Sequence, residues 1–233
     1  MIHLRYRTDS LLLIFFLFQI GFWWIIKDIQ PELQVVPEIP GPTAVKALSF
    51  GDEEFYFMVM ALELQNLGDT YGRFTALKYY NYKKLSDWWA MMDMLDDQSN
   101  FVPSLASYYF SQTQNKPDVR YVVDYLEKHS LAEPGRNWWW LSQATYLANH
   151  IIGDKERALE ISYKLANAKG NDIPIWAREM PAFIHEELNE DDEALVIIEN
   201  LRKNEKNLSQ KEINFMNYFV ADRLHKIIAD QKK

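Results

Sequence analysis

Sixteen consecutive residues, Leu11 to Ile26 (LLLIFFLFQIGFWWII), carry no charge, and no other stretch of this 233-residue chain restricts its fold as strongly. A helix rises 1.5 Å per residue, so about 20 apolar residues cross the ~30 Å hydrocarbon core of a bilayer. With Ser10 and the aliphatic stem of Lys27, residues 10–27 are long enough to cross. Trp23 and Trp24 stand near its end, where indole rings settle at the boundary between lipid and water. Gln19 is the polar residue inside the run, and its amide gains from a partner helix.

A cleaved signal peptide or a buried core helix could carry a similar run. Cleavage follows small residues close behind the apolar stretch, whereas Lys27-Asp28-Ile29-Gln30-Pro31 stands here, which favours an uncleaved signal anchor. Arg5 and Arg7 precede the run, and Asp28, Glu32 and Glu38 follow it. The positive-inside rule then puts residues 1–9 in the cytosol and translocates everything after Lys27. In a Gram-negative bacterium that is the inner membrane with a periplasmic domain. Arg5, Arg7 and Lys27 against Asp9 give +2, so the formal charge of −8 leaves −10 on the remainder. An acidic domain of this kind is a poor partner for nucleic acid. The absence of Cys excludes disulfides, a thiol nucleophile and thiolate metal sites.

Residues 28–48 hold four of the nine prolines and no periodic apolar pattern, which predicts an extended linker. Polyproline-like, it would hold the following domain on the order of 50–60 Å from the bilayer or lie along a partner surface. From Ser49 to Lys233 the pattern is helical, and no strand pair is expected. Ser49 with Asp52 predicts a capped start to a helix through Phe55, Met58, Ala61, Leu62 and Leu64, closing at Leu67-Gly68-Asp69. Asp69, Tyr71, Gly72 and Arg73 read as a polar turn. A second helix is expected from about Tyr71 to Tyr80 and a third from about Lys83 to Leu95, whose SDWWAMMDML stripe reads as core.

Val122, Ala158 and Ala194 lie 36 residues apart, and the columns beginning at them continue as Tyr125/Ile161/Ile197, Leu126/Ser162/Ile198 and His129/Leu165/Leu201. This is an i, i+3, i+4, i+7 face three times over, each preceded by a polar turn and another helix. The unit is a helical hairpin. Ser209 with Glu212 predicts a closing helix that carries Ile213, Met216, Val220, Leu224 and Ile227 and caps the stack.

Gly153-Asp154-Lys155-Glu156-Arg157-Ala158-Leu159-Glu160 resembles the turn and second-helix start of a tetratricopeptide repeat. The small residue of the second helix falls on Ala158 and Ala194, the glycine before the turn on Gly153, and the terminal proline on Pro134. The first-helix Trp, Leu-Gly and Tyr pattern does not align, and the likeness covers roughly residues 103–205. It implies an all-α fold in which the transmembrane helix precedes a right-handed stack of tetratricopeptide-like hairpins, an α-solenoid with a C-terminal capping helix. It also implies a concave face lined by the first helices, which would begin near Pro103, Trp139 and Ile175. That face would carry Ser104, Ser107, Ser111 and Gln114, then Trp140, Gln143, Leu147 and His150, then Trp176, Glu179, Phe183 and Glu186.

Aromatic and uncharged polar groups suit an extended peptide or a helix of another protein in a membrane complex. The expected role is therefore a membrane-anchored interaction scaffold or assembly subunit without cofactor or metal. In Trp138-Trp139-Trp140 the rings point about 100° apart, so they cannot share one face, and Trp140 is the expected hot spot if one of them reaches the groove. Enzyme signatures fail: His185-Glu186 lacks a second histidine at Asn189, Asp222 and His225 lack a third ligand, and no phosphate-cradling or nucleophile-elbow glycine motif occurs. An envelope enzyme acting on a glycan or another polymer is the competing expectation. It resembles the superhelical lytic transglycosylases in outline, but lacks their Glu-Ser setting, and Glu179 beside Met180-Pro181 is its one suggestive carboxyl.

Overall fold

A computed structural model describes residues 2–27, 34–70, 72–170, 172–205 and 208–224. Among the described residues 76% are helical, and α1 (Ile2–Ile26) is one continuous helix. Its apolar window, Asp9–Ile26, is long and apolar enough to cross a membrane and is not buried by any of the described residues. Lys27 folds back so that its ammonium lies 4.4 Å from the Trp24 ring centre, a cation held over an indole at the end of the apolar run.

The linker is not free. Residues 34–41 lie as a strap on the helical domain: Val36 is buried, the Trp88 indole N–H donates to the Pro37 carbonyl at 2.9 Å, and Lys84 pairs with Gln34 and Glu38. The proline-rich pattern disfavours helix, but it does not prevent extended backbone from packing. A short helix, α2 (Pro42–Leu48), follows with Val45 buried. Of the expected tether, residues 28–33 lie outside the described residues.

Asp52, not Ser49, caps α3 (Glu53–Gln65), accepting from the Phe55 N–H at 2.9 Å, and Glu53 and Glu54 favour the positive end of the helix. Ser49 instead ends α2. The helix expected over 71–80 is replaced by a two-residue antiparallel pair, β1 (Asp69–Thr70) with β2 (Arg73–Phe74), and a 3-10 turn, Leu77–Tyr79. Left-handed glycines cause this: Gly68 and Gly72 have φ near +80°, and Asp69 accepts from the Gly72 N–H at 2.8 Å across the turn. Gly68 also lies under Tyr80, where a Cβ would meet the phenol oxygen at 1.9 Å. Arg73 is exposed, and Tyr71 lies outside the described residues.

The remaining helices are α4 (Tyr82–Leu95), α5 (Phe101–Ser104), α6 (Val119–Ala132), α7 (Pro134–Tyr146), α8 (Lys155–Ala166), α9 (Ile175–Glu187), α10 (Asp191–Asn204) and α11 (Gln210–Tyr218). Three continue as π turns, Leu105–Tyr109 after α5, Leu147–Ile152 after α7 and Phe219–Leu224 after α11. Each helix from α6 to α10 packs on its neighbour in sequence, α3 packs on α4, and α4 packs on α6. Short turns between them leave little choice of partner.

The helices α6, α8 and α10 start 36 residues apart, and Val122, Ala158 and Ala194 are fully buried. One row further back, α4 starts 37 residues before α6 and supplies Leu85, Trp88, Trp89 and Met92 to the same columns, all buried. The aromatic and methionine stripe is therefore core. The Trp89 ring centre stands 5.3 Å from that of Tyr125 and 5.6 Å from that of Phe110. At the C-terminal end Ala182, Ala194, Ile198, Met216 and Phe219 form a second cluster, closed by α11. Ser209 and Glu212 make a reciprocal capping box there, while Ile227 lies outside the described residues.

Candidate interaction face

The expected groove positions separate into two groups. Ser107, Ser111, Trp140, Leu147, Glu179 and Glu186 are buried between hairpins and cannot line an open face. Gln114, His150 and Trp176 are exposed, and Ser104, Gln143 and Phe183 are half-buried. The buried and half-buried ones have work in the packing. Ser107 donates to the Gln143 amide oxygen at 3.5 Å, Trp140 donates from its indole to Asn100 Oδ1 at 2.8 Å, and Phe183 wedges against Phe215 and Phe219.

The first-helix side presents a different aromatic set. Trp139 (38% exposed) and Trp176 (42% exposed) stand with ring centres 6.3 Å apart, Trp138 meets both edge-on, and the Trp139 indole donates to the Tyr108 hydroxyl at 2.8 Å. Tyr108, Trp139 and Trp176 come from three successive hairpins, so this is one continuous ridge across the array. Aromatic rings with a polar handle, held by one another, lose little freedom when a partner covers them.

Two local departures from ideal helix lie beside the expected positions of the first two hairpins, whereas Glu179 and Glu186 are buried on an α9 without such a departure. Inside α7, Asn137 has φ −94° and ψ 17°, a kink immediately before the three tryptophans, and the π turn at Leu105–Tyr109 adds a residue to the first hairpin's helix. A straight 3.6-residue projection loses its register at both places.

A polar cleft of about 340 Å³ lies between α4, α6 and the start of α7. In it Asp93 accepts from the Tyr125 hydroxyl at 2.9 Å and meets His129 Nδ1 at 3.0 Å. Burial first, and then the Asp93 charge, pushes the Tyr125 phenol well above its ordinary range, so it stays a donor. Sequence reasoning passed over Asp93, because its 36-residue separation from His129 signals the pair only once α4 is known to belong to the array. Lys128, Arg136 and Glu133 also line the cleft, and no serine or threonine does, so acid–base groups dominate it.

Between α6 and α8 the charges bind hairpin to hairpin. Arg157 pairs with Asp124, Glu127 and Glu160, and Lys164 joins Glu127 at 2.7 Å. Lys164 and then Arg157 hold the Glu160 carboxyl below its usual range. Glu179, the one carboxyl suggestive of glycan chemistry, is 1% exposed, and burial and then Glu212 push its pKa to about 7. An acid so enclosed cannot meet a polymer. Among the described residues no three His, Asp or Glu side chains converge as a metal site, and His225, the expected partner of Asp222, lies outside them. No protein-family model, no curated protein and no solved structure matches this chain.

Proposed function

We propose that the chain is a single-pass membrane-anchored scaffold whose tetratricopeptide-like array, a right-handed stack of hairpins, recruits another protein of a membrane complex. α1 is the anchor, residues 1–9 are cytosolic and the domain is translocated. The observation that carries the reading is the Tyr108–Trp139–Trp176 ridge, an exposed aromatic line crossing three hairpins on their first-helix side. An apolar helix or extended segment with acceptors for the indole N–H groups fits it. The competing enzyme reading has the Asp93–His129 pair in its favour; the scaffold reading takes that pair as a tie between α4 and α6.

The test is co-purification of the intact chain from detergent-solubilised membranes. The double variant Trp139→Ala, Trp176→Ala should lose the partner while still unfolding in one cooperative transition, at a cost of about 2–4 kcal/mol per ring because each indole keeps more than half of its surface buried. Trp140→Ala should cost about 3–5 kcal/mol through a buried cavity. Retention of the partner by the double variant would overturn the ridge.

A further inference from the structure

Helix α3 is apolar on two opposite sides. Tyr56, Phe57, Ala61 and Leu64 are buried against the domain, whereas Phe55, Met58, Val59 and Leu62 form an i, i+3, i+4, i+7 stripe on the other side and are all exposed. Just before the helix, Phe50 is 93% exposed and holds φ at +50°, a left-handed conformation unfavourable for a bulky residue. Among the described residues it packs on nothing that would repay that strain. These five side chains contain no hydrogen-bond donor and no acceptor beyond the weak Met58 sulfur. They lack the polar handles that the Tyr108–Trp139–Trp176 ridge offers a protein, and match a hydrocarbon phase instead.

The strap puts such a phase within reach. Lys27 ends the membrane helix and Gln34 is already held by Lys84, so seven peptide units separate the anchor from the domain, a span of at most about 25 Å. The next elements along the chain are α2 and α3. Resting on the reading of α1 as a membrane anchor, we infer that the exposed stripe of α3, with Phe50 at its leading end, lies in the interfacial layer of the bilayer that α1 enters. The domain is thus a second, peripheral contact with its own membrane. Tethering makes that contact intramolecular, so a stripe too small to bind vesicles from solution suffices. Glu54 and Glu63 flank the stripe and are exposed, and the chain beyond Lys27 is acidic, so the contact favours zwitterionic over anionic lipid.

The absence of cysteine makes the test direct, because any introduced Cys is the sole labelling site. The full chain carrying Leu62→Cys, with Met58→Cys as a second reporter, is labelled with a polarity-sensitive dye and reconstituted into phosphatidylcholine vesicles containing nitroxide lipids. Leu17→Cys reports the anchor, and Val196→Cys, exposed on α10, reports the distal domain. Expected is about twofold or greater quenching at 58 and 62, stronger from a shallow nitroxide than from a deep one, with the reverse depth order at 17 and no quenching at 196. Phosphatidylserine should reduce quenching at 58 and 62 and leave 17 unchanged. Water-like emission at 58 and 62 with position 17 quenched would overturn the inference and spare the anchor. Blue-shifted but unquenched emission there would also overturn it, by showing that protein, a second copy or a partner, covers the stripe. An unquenched label at 17 would overturn the anchor and this inference together.

Discussion

Glu179 shows what a single buried carboxyl does to the array. It sits inside α9 with one oxygen lacking a hydrogen-bond partner, and burial followed by the Glu212 charge raises its pKa from 4.5 to about 7. Between those two values the unfolded chain releases the proton while the folded chain keeps it. Stability therefore falls as pH rises from 4.5 to 7, and the loss is complete above 7. Glu179→Gln keeps the shape and removes the titration. In thermal melts it should be more stable than the parent at pH 8 by on the order of 2–3 kcal/mol, with the gap narrowing towards pH 4.5. An equal gap at both ends would show that the carboxyl finds solvent or a partner. That Glu179 beside Pro181 is unusual was legible in the sequence. That it is enclosed was not, because burial depends on where α10 and α11 close over α9. The tryptophan triplet divides the same way: ring divergence follows from helical geometry alone, whereas the assignment of Trp139 to the surface and Trp140 to the core follows from the Asn137 kink.

At the scale of elements, periodicity carried the reading wherever helices are regular. The starts of α6, α8 and α10 and the capping box of α11 follow from apolar spacing and cap chemistry that neighbours do not override. It failed where backbone chirality rather than hydrophobicity decides, at Gly68 and Gly72, and where π turns rotate a helix face. Further degenerate hairpins over residues 49–97 are an open expectation from the sequence; the α4 row does not align there because its offset is 37 rather than 36 and it holds Trp88, Trp89 and Met92 in those columns. Large side chains there complement the strap, since Trp88 both fills the core and donates to Pro37. Trp88→Phe keeps most of that burial and deletes the donor. It should cost about 1–2 kcal/mol and open residues 34–41 to limited proteolysis, with α6 to α10 unchanged. Unchanged cleavage in the strap would mean that Val36 and the Lys84 pairs hold it alone.

Across the whole molecule the strap converts a proline-rich segment from a spacer into a brace. Composition alone predicts a reach of about 50–60 Å for residues 28–48, because a polyproline-like chain extends unless something binds it. Lys84, Trp88 and the pocket for Val36 bind it, and only seven peptide units remain between Lys27 and Gln34. A donor dye on Lys83→Cys, an exposed position beside the strap's first anchor point, should then lie within roughly 35 Å of acceptor-labelled headgroups in reconstituted vesicles, allowing for the seven units and two side chains. Inserting ten Gly/Ser residues after Asp28 should lengthen the maximum reach by about 35 Å. If the α3 stripe rests on the lipid, however, energy transfer should barely change, because the second contact and not the tether length fixes the height. Substituting glutamate for both Met58 and Leu62 in the lengthened chain should then release the domain and lower the transfer. Transfer that falls on insertion alone would mean that covalent reach sets the height of the domain, and that the acidic array stands clear of the headgroups.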